Sequence, residues 1–174
     1  MVKIKAFDEL VNLQANVKRM LGIRQEVLEP GTDLDEYRAH VLVCGGTGCQ
    51  ASESAALVER FQAELEKFGL NHDIKVVTTG CFGFCEQGPI IKVYPDNVLY
   101  VQVTPEDARE IVEEHLQKGN LVERLLYIEP ARQERLKADL PFYERQLRIA
   151  LRDCGLIAPE DILEYIAAGG YQAL

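Results

Sequence analysis

Four of the five cysteines of this 174-residue chain lie in two glycine-rich loops, Cys44-x4-Cys49 and Cys81-x3-Cys85, with 31 residues between the pairs. Thiolates at such spacing can bind a metal, carry an iron–sulfur cluster or exchange with disulfides. Structural zinc usually draws its cysteines from tight C-x2-C knuckles, and neither pair has that spacing. A dithiol oxidoreductase wants C-x-x-C between strand and helix, which is also absent. Two disulfides would suit an oxidising compartment. Two pairs on two loops match a rhomb with two thiolates per iron, whereas the ligands of a cubane more often include a C-x2-C-x2-C run. The spacing therefore points to a [2Fe–2S] cluster, with zinc and thiol chemistry as the alternatives.

The surrounding sequence suits such a site. Gly45, Gly46, Gly48, Gly80, Gly83 and Gly88 lie in or beside the two loops, allowing backbone N–H groups to approach a bulky sulfur-rich object. Phe82 and Phe84 would add an apolar shell or simply pack in the core. Glu86 reads as an exposed loop carboxylate and Cys154 as a small buried hydrophobe. His40, His72 and His115 are dispersed outside both loops, which predicts surface or edge positions and argues against a Rieske centre. No P-loop, G-x-G-x-x-G, H-E-x-x-H or Ser-His-Asp pattern is present.

These loops need elements that bring them together. His40–Val43 is a short apolar run entering the first loop, as a buried strand would. From Ser52, Leu57, Val58, Phe61, Leu65 and Phe68 recur at helical spacing and Gly69 closes the helix. Ile74, Val76 and Val77 form a second strand entering the second loop. Residues 90–94 and 98–103 read as a hairpin across Pro95-Asp96-Asn97. Thr104-Pro105-Glu106-Asp107 starts a helix that buries Ala108, Ile111, Val112 and Leu116. The order over residues 40–118 is β-α-β-β-β-α. In a right-handed βαβ unit the first two strands run parallel, so both cysteine loops emerge at one end of the sheet and four thiolates can converge.

Outside this unit, residues 3–21 predict a helix carrying Phe7, Leu10, Val11, Val17, Met20 and Leu21, with Gly22 near its end and a turn at Pro30-Gly31-Thr32-Asp33. Residues 128–141 are charged and poor in apolar residues, which suggests a linker. Pro159-Glu160-Asp161 leads a short helix through Ile162, Leu163, Tyr165 and Ile166 to Gly169-Gly170. This tail is too short to bury a core of its own.

Composition narrows the partners. With 47% hydrophobic and 27% charged residues the chain reads as an ordinary globular protein. Its 28 acids against 19 bases, net −9, disfavour nucleic acid and anionic membranes. No apolar run is long enough for a membrane span, and the N-terminus lacks a signal-peptide core, so a cytoplasmic location is expected.

Cys44-Gly45-Gly46-Thr47-Gly48-Cys49 together with Cys81-Phe82-Gly83-Phe84-Cys85-Glu86-Gln87-Gly88-Pro89 resembles the thioredoxin-like [2Fe–2S] ferredoxins, over about residues 38–127. The same domain occurs in a respiratory complex I subunit and in diaphorase subunits of NAD-linked hydrogenases. Residues Gln146–Gly155, continuing to Gly169–Leu174, are similar to the lead-in of a flavin- and NADH-binding domain. The flavoprotein subunits of electron-bifurcating [FeFe]-hydrogenases and related formate dehydrogenases share this arrangement.

The resemblance implies an α/β, thioredoxin-like fold with an N-terminal helical segment (1–36), a [2Fe–2S] domain (37–127), and a linker plus the start of a truncated flavoprotein domain (128–174). It implies Cys44, Cys49, Cys81 and Cys85 as cluster ligands, and electron transfer within a multi-subunit NAD(P)H-linked oxidoreductase. FMN, NAD(H) and [4Fe–4S] centres would lie in the missing remainder or in partner subunits, and no complete catalytic site is expected in this chain alone. Homodimerisation is common in free-standing members of the family.

Overall fold

The computed structural model describes residues 4, 6–24, 36–130, 134–136 and 140–173. The chain begins with α1 (Phe7–Val17), which runs into a 3-10 segment, Lys18–Arg24. The expected turn at 30–33 lies outside the described residues. Next come β1 (Ala39–Cys44), α2 (Thr47–Ala51), α3 (Ser54–Lys67), β2 (Ile74–Thr79), β3 (Ile91–Tyr94) and β4 (Val98–Tyr100). Helix α4 starts at Asp107–Glu110 and widens into a π-helical stretch, Ile111–Gln117. Then follow the strands β5 (Tyr127–Glu129) and β6 (Glu134–Leu136) and the helices α5 (Pro141–Glu144) and α6 (Ile162–Ala167).

Strand order in the main sheet is β2-β1-β3-β4. β1 and β2 are parallel, with Ala39 opposite Ile74 and Cys44 opposite Thr79, while β3 and β4 form the expected antiparallel hairpin. Because side chains alternate across a strand, β1 serves two cores. Ala39, Val41 and Val43 join Leu57, Phe61, Leu65, Ile111 and Val112 beneath α3 and α4. Leu42 and Cys44 face the other way, into a second cluster with Cys49, Phe82, Phe84, Tyr94, Leu99 and Leu140. All six residues of β1 are buried. β1 is therefore the central strand, and the cysteine at its end sits within the second core.

Several expectations change in the structure. The N-terminal helix buries Leu10 but leaves Phe7 and Val11 exposed. It packs on α6 rather than on the sheet, and the deep burial falls one turn beyond it, at Gly22, Ile23 and Arg24. The segment read as a linker carries the β5–β6 pair. The helix expected from Thr104 begins at Asp107, whose carboxylate accepts from both the N–H and the hydroxyl of Thr104 at 2.8 Å. His40 and His115 are buried, not peripheral. Nδ1 of His40 accepts from Arg24 Nε at 3.0 Å, and His115 sits between the Tyr100 hydroxyl and the Asp96 carboxylate. Among the described residues no helix is long and apolar enough to cross a membrane.

The tail covers the second face of the sheet. Arg24 makes a bidentate pair with Glu164, and its Nη1 also donates to the Leu156 carbonyl at 2.7 Å. Glu164 further accepts from the Ala158 N–H at 2.7 Å and faces Lys75 Nζ at 3.4 Å. Thr79 Oγ1 donates to the Ile157 carbonyl at 2.7 Å. Asp161 caps α6 by accepting from the Leu163 N–H at 2.9 Å. The residues flanking the sheet thus fold back onto it.

Candidate metal centre

Both cysteine loops leave the same end of the sheet, as the parallel pairing requires. Cys44 is the last residue of β1. The chain turns at Gly45, whose N–H donates to the Thr79 carbonyl of β2 at 2.9 Å. Part of the first loop is helical, because α2 takes Thr47–Ala51, and this buries Cys49 beside Cys44. Cys81 stands two residues beyond β2 and is half-buried, whereas Cys85 is exposed at the start of a short 3-10 turn, Cys85–Gln87.

The four sulfurs stand as two pairs. The Cys49 thiol is pushed up to about 12, first by burial and then by its hydrogen bond to Cys44. Cys81 Sγ and Cys85 Sγ are 3.6 Å apart, and the hydrogen bond and charge of Cys81 raise the Cys85 thiol. Burial at Cys49 and the neighbouring sulfur at Cys85 each disfavour the thiolate. A cation would reverse both shifts, because a coordinated thiol is held as thiolate. Among the described residues, no three metal-ligating side chains gather around a single point.

The two loops touch. A Cβ on Gly46 would come within 3.0 Å of Cys81 Sγ, and one on Gly88 within 2.8 Å of Cys49 Sγ. Only glycine leaves room beside those sulfurs. The Gly83 N–H, at a φ of 85°, donates to Cys81 Sγ at 3.2 Å. Such a bond favours negative charge on sulfur. A cradle open at the sulfurs, four thiols and an inward N–H donor fit an iron–sulfur cluster.

Phe82 and Phe84 are buried in the same cluster as Cys44 and Cys49, which is the expected core packing. Phe84 stacks on Phe142, centroids 4.4 Å apart, and meets Tyr127 edge-on at 5.3 Å. Glu86 is exposed, as expected. Cys154 is only half-buried, and a Cβ on Gly80 would lie 3.4 Å from its sulfur, so it stands beside the second cysteine loop. His72 is exposed, and none of the three histidines lies in either cysteine loop.

Sequence reasoning missed the residues that the tail contributes. Leu140 is almost fully buried against this core with Tyr143 packed beside it, and Arg148 Nη2 donates to the Cys81 carbonyl at 3.3 Å. Spacing carried no signal for them, because they lie more than 50 residues beyond the loops they cover.

Comparison with known proteins agrees with this arrangement. The family model for thioredoxin-like [2Fe-2S] ferredoxin matches residues 35–116. A 2Fe-2S ferredoxin of Clostridium pasteurianum is 47% identical over 77 residues, covering 44% of this chain and 76% of that one. One from Aquifex aeolicus is 41% identical over 96 residues, covering 50% and 86%. The crystal structure of the wild-type thioredoxin-like [2Fe-2S] ferredoxin from Aquifex aeolicus is 38% identical, with a TM-score of 0.47, covering 52% of this chain and 96% of that one. With its α/β sheet order, its paired cysteine loops and these relatives, the chain belongs to the thioredoxin-like [2Fe–2S] ferredoxins, electron-transfer proteins that carry one [2Fe–2S] cluster.

Proposed function

We propose that Cys44, Cys49, Cys81 and Cys85 hold the [2Fe–2S] cluster, two thiolates to each iron. The observation that carries this reading is the delivery of two cysteine pairs from the ends of adjacent parallel strands, where Cys44 and Thr79 are level. The bound cluster supplies one-electron chemistry, and the protein supplies ligation, hydrogen bonding and burial. The Gly83 N–H steadies negative charge on Cys81. Phe82, Phe84 and Leu140 keep water from the Cys44–Cys49 side. Cys85, exposed, gives a redox partner its nearest approach.

The wider setting we infer is a cytoplasmic, multi-subunit NAD(P)H-linked oxidoreductase of hydrogenase, formate dehydrogenase or NADH dehydrogenase type. In this reading residues 1–36 are a helical appendage, 37–127 the cluster domain, and 128–174 the approach to a flavin- and NADH-binding domain. FMN, NAD(H) and [4Fe–4S] centres belong to that domain or to partner subunits. Support comes from the likeness of residues 146–174 to the lead-in of such domains. A homodimer is the alternative assembly.

The test is iron, sulfide and zinc analysis of anaerobically purified protein, with an EPR spectrum after dithionite reduction. Two irons and two sulfides per chain, with a spin-half signal only when reduced, are expected. One zinc without acid-labile sulfide would instead indicate a zinc-stabilised docking module. Co-purification with a flavin-containing subunit tests the wider setting.

A further inference from the structure

Between the β3–β4 hairpin, the second cysteine loop and the tail lies a cavity of about 500 Å³. That is within the range of small-molecule sites. Its walls are of two kinds. Phe82, Tyr94 and Tyr143 offer aromatic surface, while Lys92, Arg148 and Arg152 bring positive charge. Arg24 also borders the cavity but is neutralised by Glu164. Glu144 is the one acidic residue in the lining, so the cavity is net cationic in a chain of net charge −9. A cavity lined by cations focuses a positive field and draws an anion into it.

Two of the cations are held in position: Lys92 Nζ lies 5.0 Å from the Tyr94 ring centroid and Arg148 is anchored on the Cys81 carbonyl, while Arg152 is exposed at the rim, 3.4 Å from its neighbour Asp153. Two lining residues carry buried polar atoms with no hydrogen-bond partner, Tyr143 Oη and Asn97 Oδ1. Leaving such an atom unpaired costs about 1–3 kcal/mol. Burial pushes the Tyr143 hydroxyl up to about 12, so it remains a donor at neutral pH.

We propose that this cavity is a binding site for an aromatic anion of mononucleotide size, its ring against Phe82, Tyr94 and Tyr143 and its anionic group at Lys92, Arg148 and Arg152. A flat ring uses the aromatic walls and a phosphate answers the guanidinium groups. Ring and sugar hydroxyl or amino groups supply partners for Asn97 and Tyr143. The site borders the second cysteine loop through Phe82 and Arg148, so an occupant's charge is felt at Cys81.

The proposal does not depend on the cluster assignment, and binding is measured directly. The full chain is titrated calorimetrically with AMP, GMP, CMP and UMP, with adenosine and inorganic phosphate as controls. Saturable binding of at least one monophosphate, one per chain and about tenfold tighter than either control, is expected. Lys92→Gln and Arg152→Gln should each weaken it about tenfold while leaving the circular dichroism spectrum and melting temperature unchanged. These two are chosen because Arg148 also supports the cysteine loop. No saturable binding by any of the four, phosphate binding as tightly as the nucleotides, or affinity indifferent to both substitutions would each overturn the proposal.

Discussion

Arg24 and Glu164, 140 residues apart in sequence, form a bidentate ion pair at 2.6 and 2.8 Å in which both side chains are fully buried. Burying two charges costs several kcal/mol each before their attraction is counted, so such a pair persists only when every remaining polar atom is satisfied. Here Leu156, Ala158, Lys75 and His40 supply those partners. The pair ties the segment before β1 to α6 across the sheet.

Breaking one side of this pair should therefore be costly. Glu164→Gln or Arg24→Met is expected to destabilise the fold by about 3–5 kcal/mol, because each leaves an uncompensated buried charge or donor. Thermal or urea denaturation followed by circular dichroism measures this. Replacing both partners with apolar residues should recover much of the loss, and a double variant as unstable as the worse single one would contradict this account.

Acid should undo the same region. His40 is lowered from 6.5 to about 3, first by burial and then by the charges of Arg24 and Lys75, against a smaller opposing pull from Glu164. The unfolded chain therefore binds a proton that the folded chain refuses, and stability falls as pH drops from about 6.5 toward about 3. Burial pushes the Glu164 carboxyl up, but the hydrogen bonds and charge of Arg24, the Ala158 N–H and Lys75 outweigh it, so its net position is below the ordinary range. Its contribution is present above the usual carboxylate pKa and is lost below it, in the same direction. The His40 contribution is at most about 5 kcal/mol. Urea midpoints between pH 7 and pH 4 should shift less in His40→Gln than in the parent chain.

At the cysteine loops, Cys49→Ala and Cys81→Ala should lose nearly all bound iron, whereas Cys154→Ser should keep it. Iron and sulfide analysis after anaerobic reconstitution distinguishes them. Iron loss in Cys154→Ser equal to that in Cys81→Ala would make the fifth cysteine a ligand and overturn the assignment.

Gly88→Ala probes the cradle without touching a sulfur. Its Cβ would lie 2.8 Å from Cys49 Sγ and 3.3 Å from the Cys85 carbonyl. The expected outcome is a folded chain whose cluster is retained about 10–100-fold less well against a chelator. Loss rates of visible absorbance in the presence of chelator give the comparison.

A control lies in the opposite core. Tyr100 Oη accepts from the Val122 N–H at 3.1 Å and shares a hydrogen bond with Nδ1 of His115, 3.1 Å away, whose Nε2 faces the Asp96 carboxylate at 3.3 Å. Tyr100→Phe removes both of these hydrogen bonds from a buried site and should cost about 1–3 kcal/mol in stability. Iron content should not change. A fall in iron content would show that the two cores are coupled.

Much of this was legible in the sequence. The βαβ unit, the hairpin and α4 follow from periodicity and turn residues, and parallel pairing by itself brings the two cysteine loops together. What was not legible depends on contacts distant in sequence. Nothing local marks Arg24 as buried, since its partner is 140 residues away. His40 and His115 read as peripheral because single polar residues reveal burial only through their partners. Phe7 and Val11 fit a buried stripe by spacing, yet α1 packs on α6 in a way that leaves both exposed. The seating of the tail was equally hidden, because Leu140 and Glu164 find their partners far away in sequence.

That packing changes what sets the environment of the sulfurs. The family match ends at residue 116, yet Leu140, Tyr143 and Arg148 form part of the wall around the cysteine loops. Local polarity and solvent access tune an iron–sulfur potential over hundreds of millivolts. With the cluster on the four proposed cysteines, its redox set-point is expected to be written partly in residues beyond the matched family region, so that trimming the tail would retune the voltage without removing a ligand.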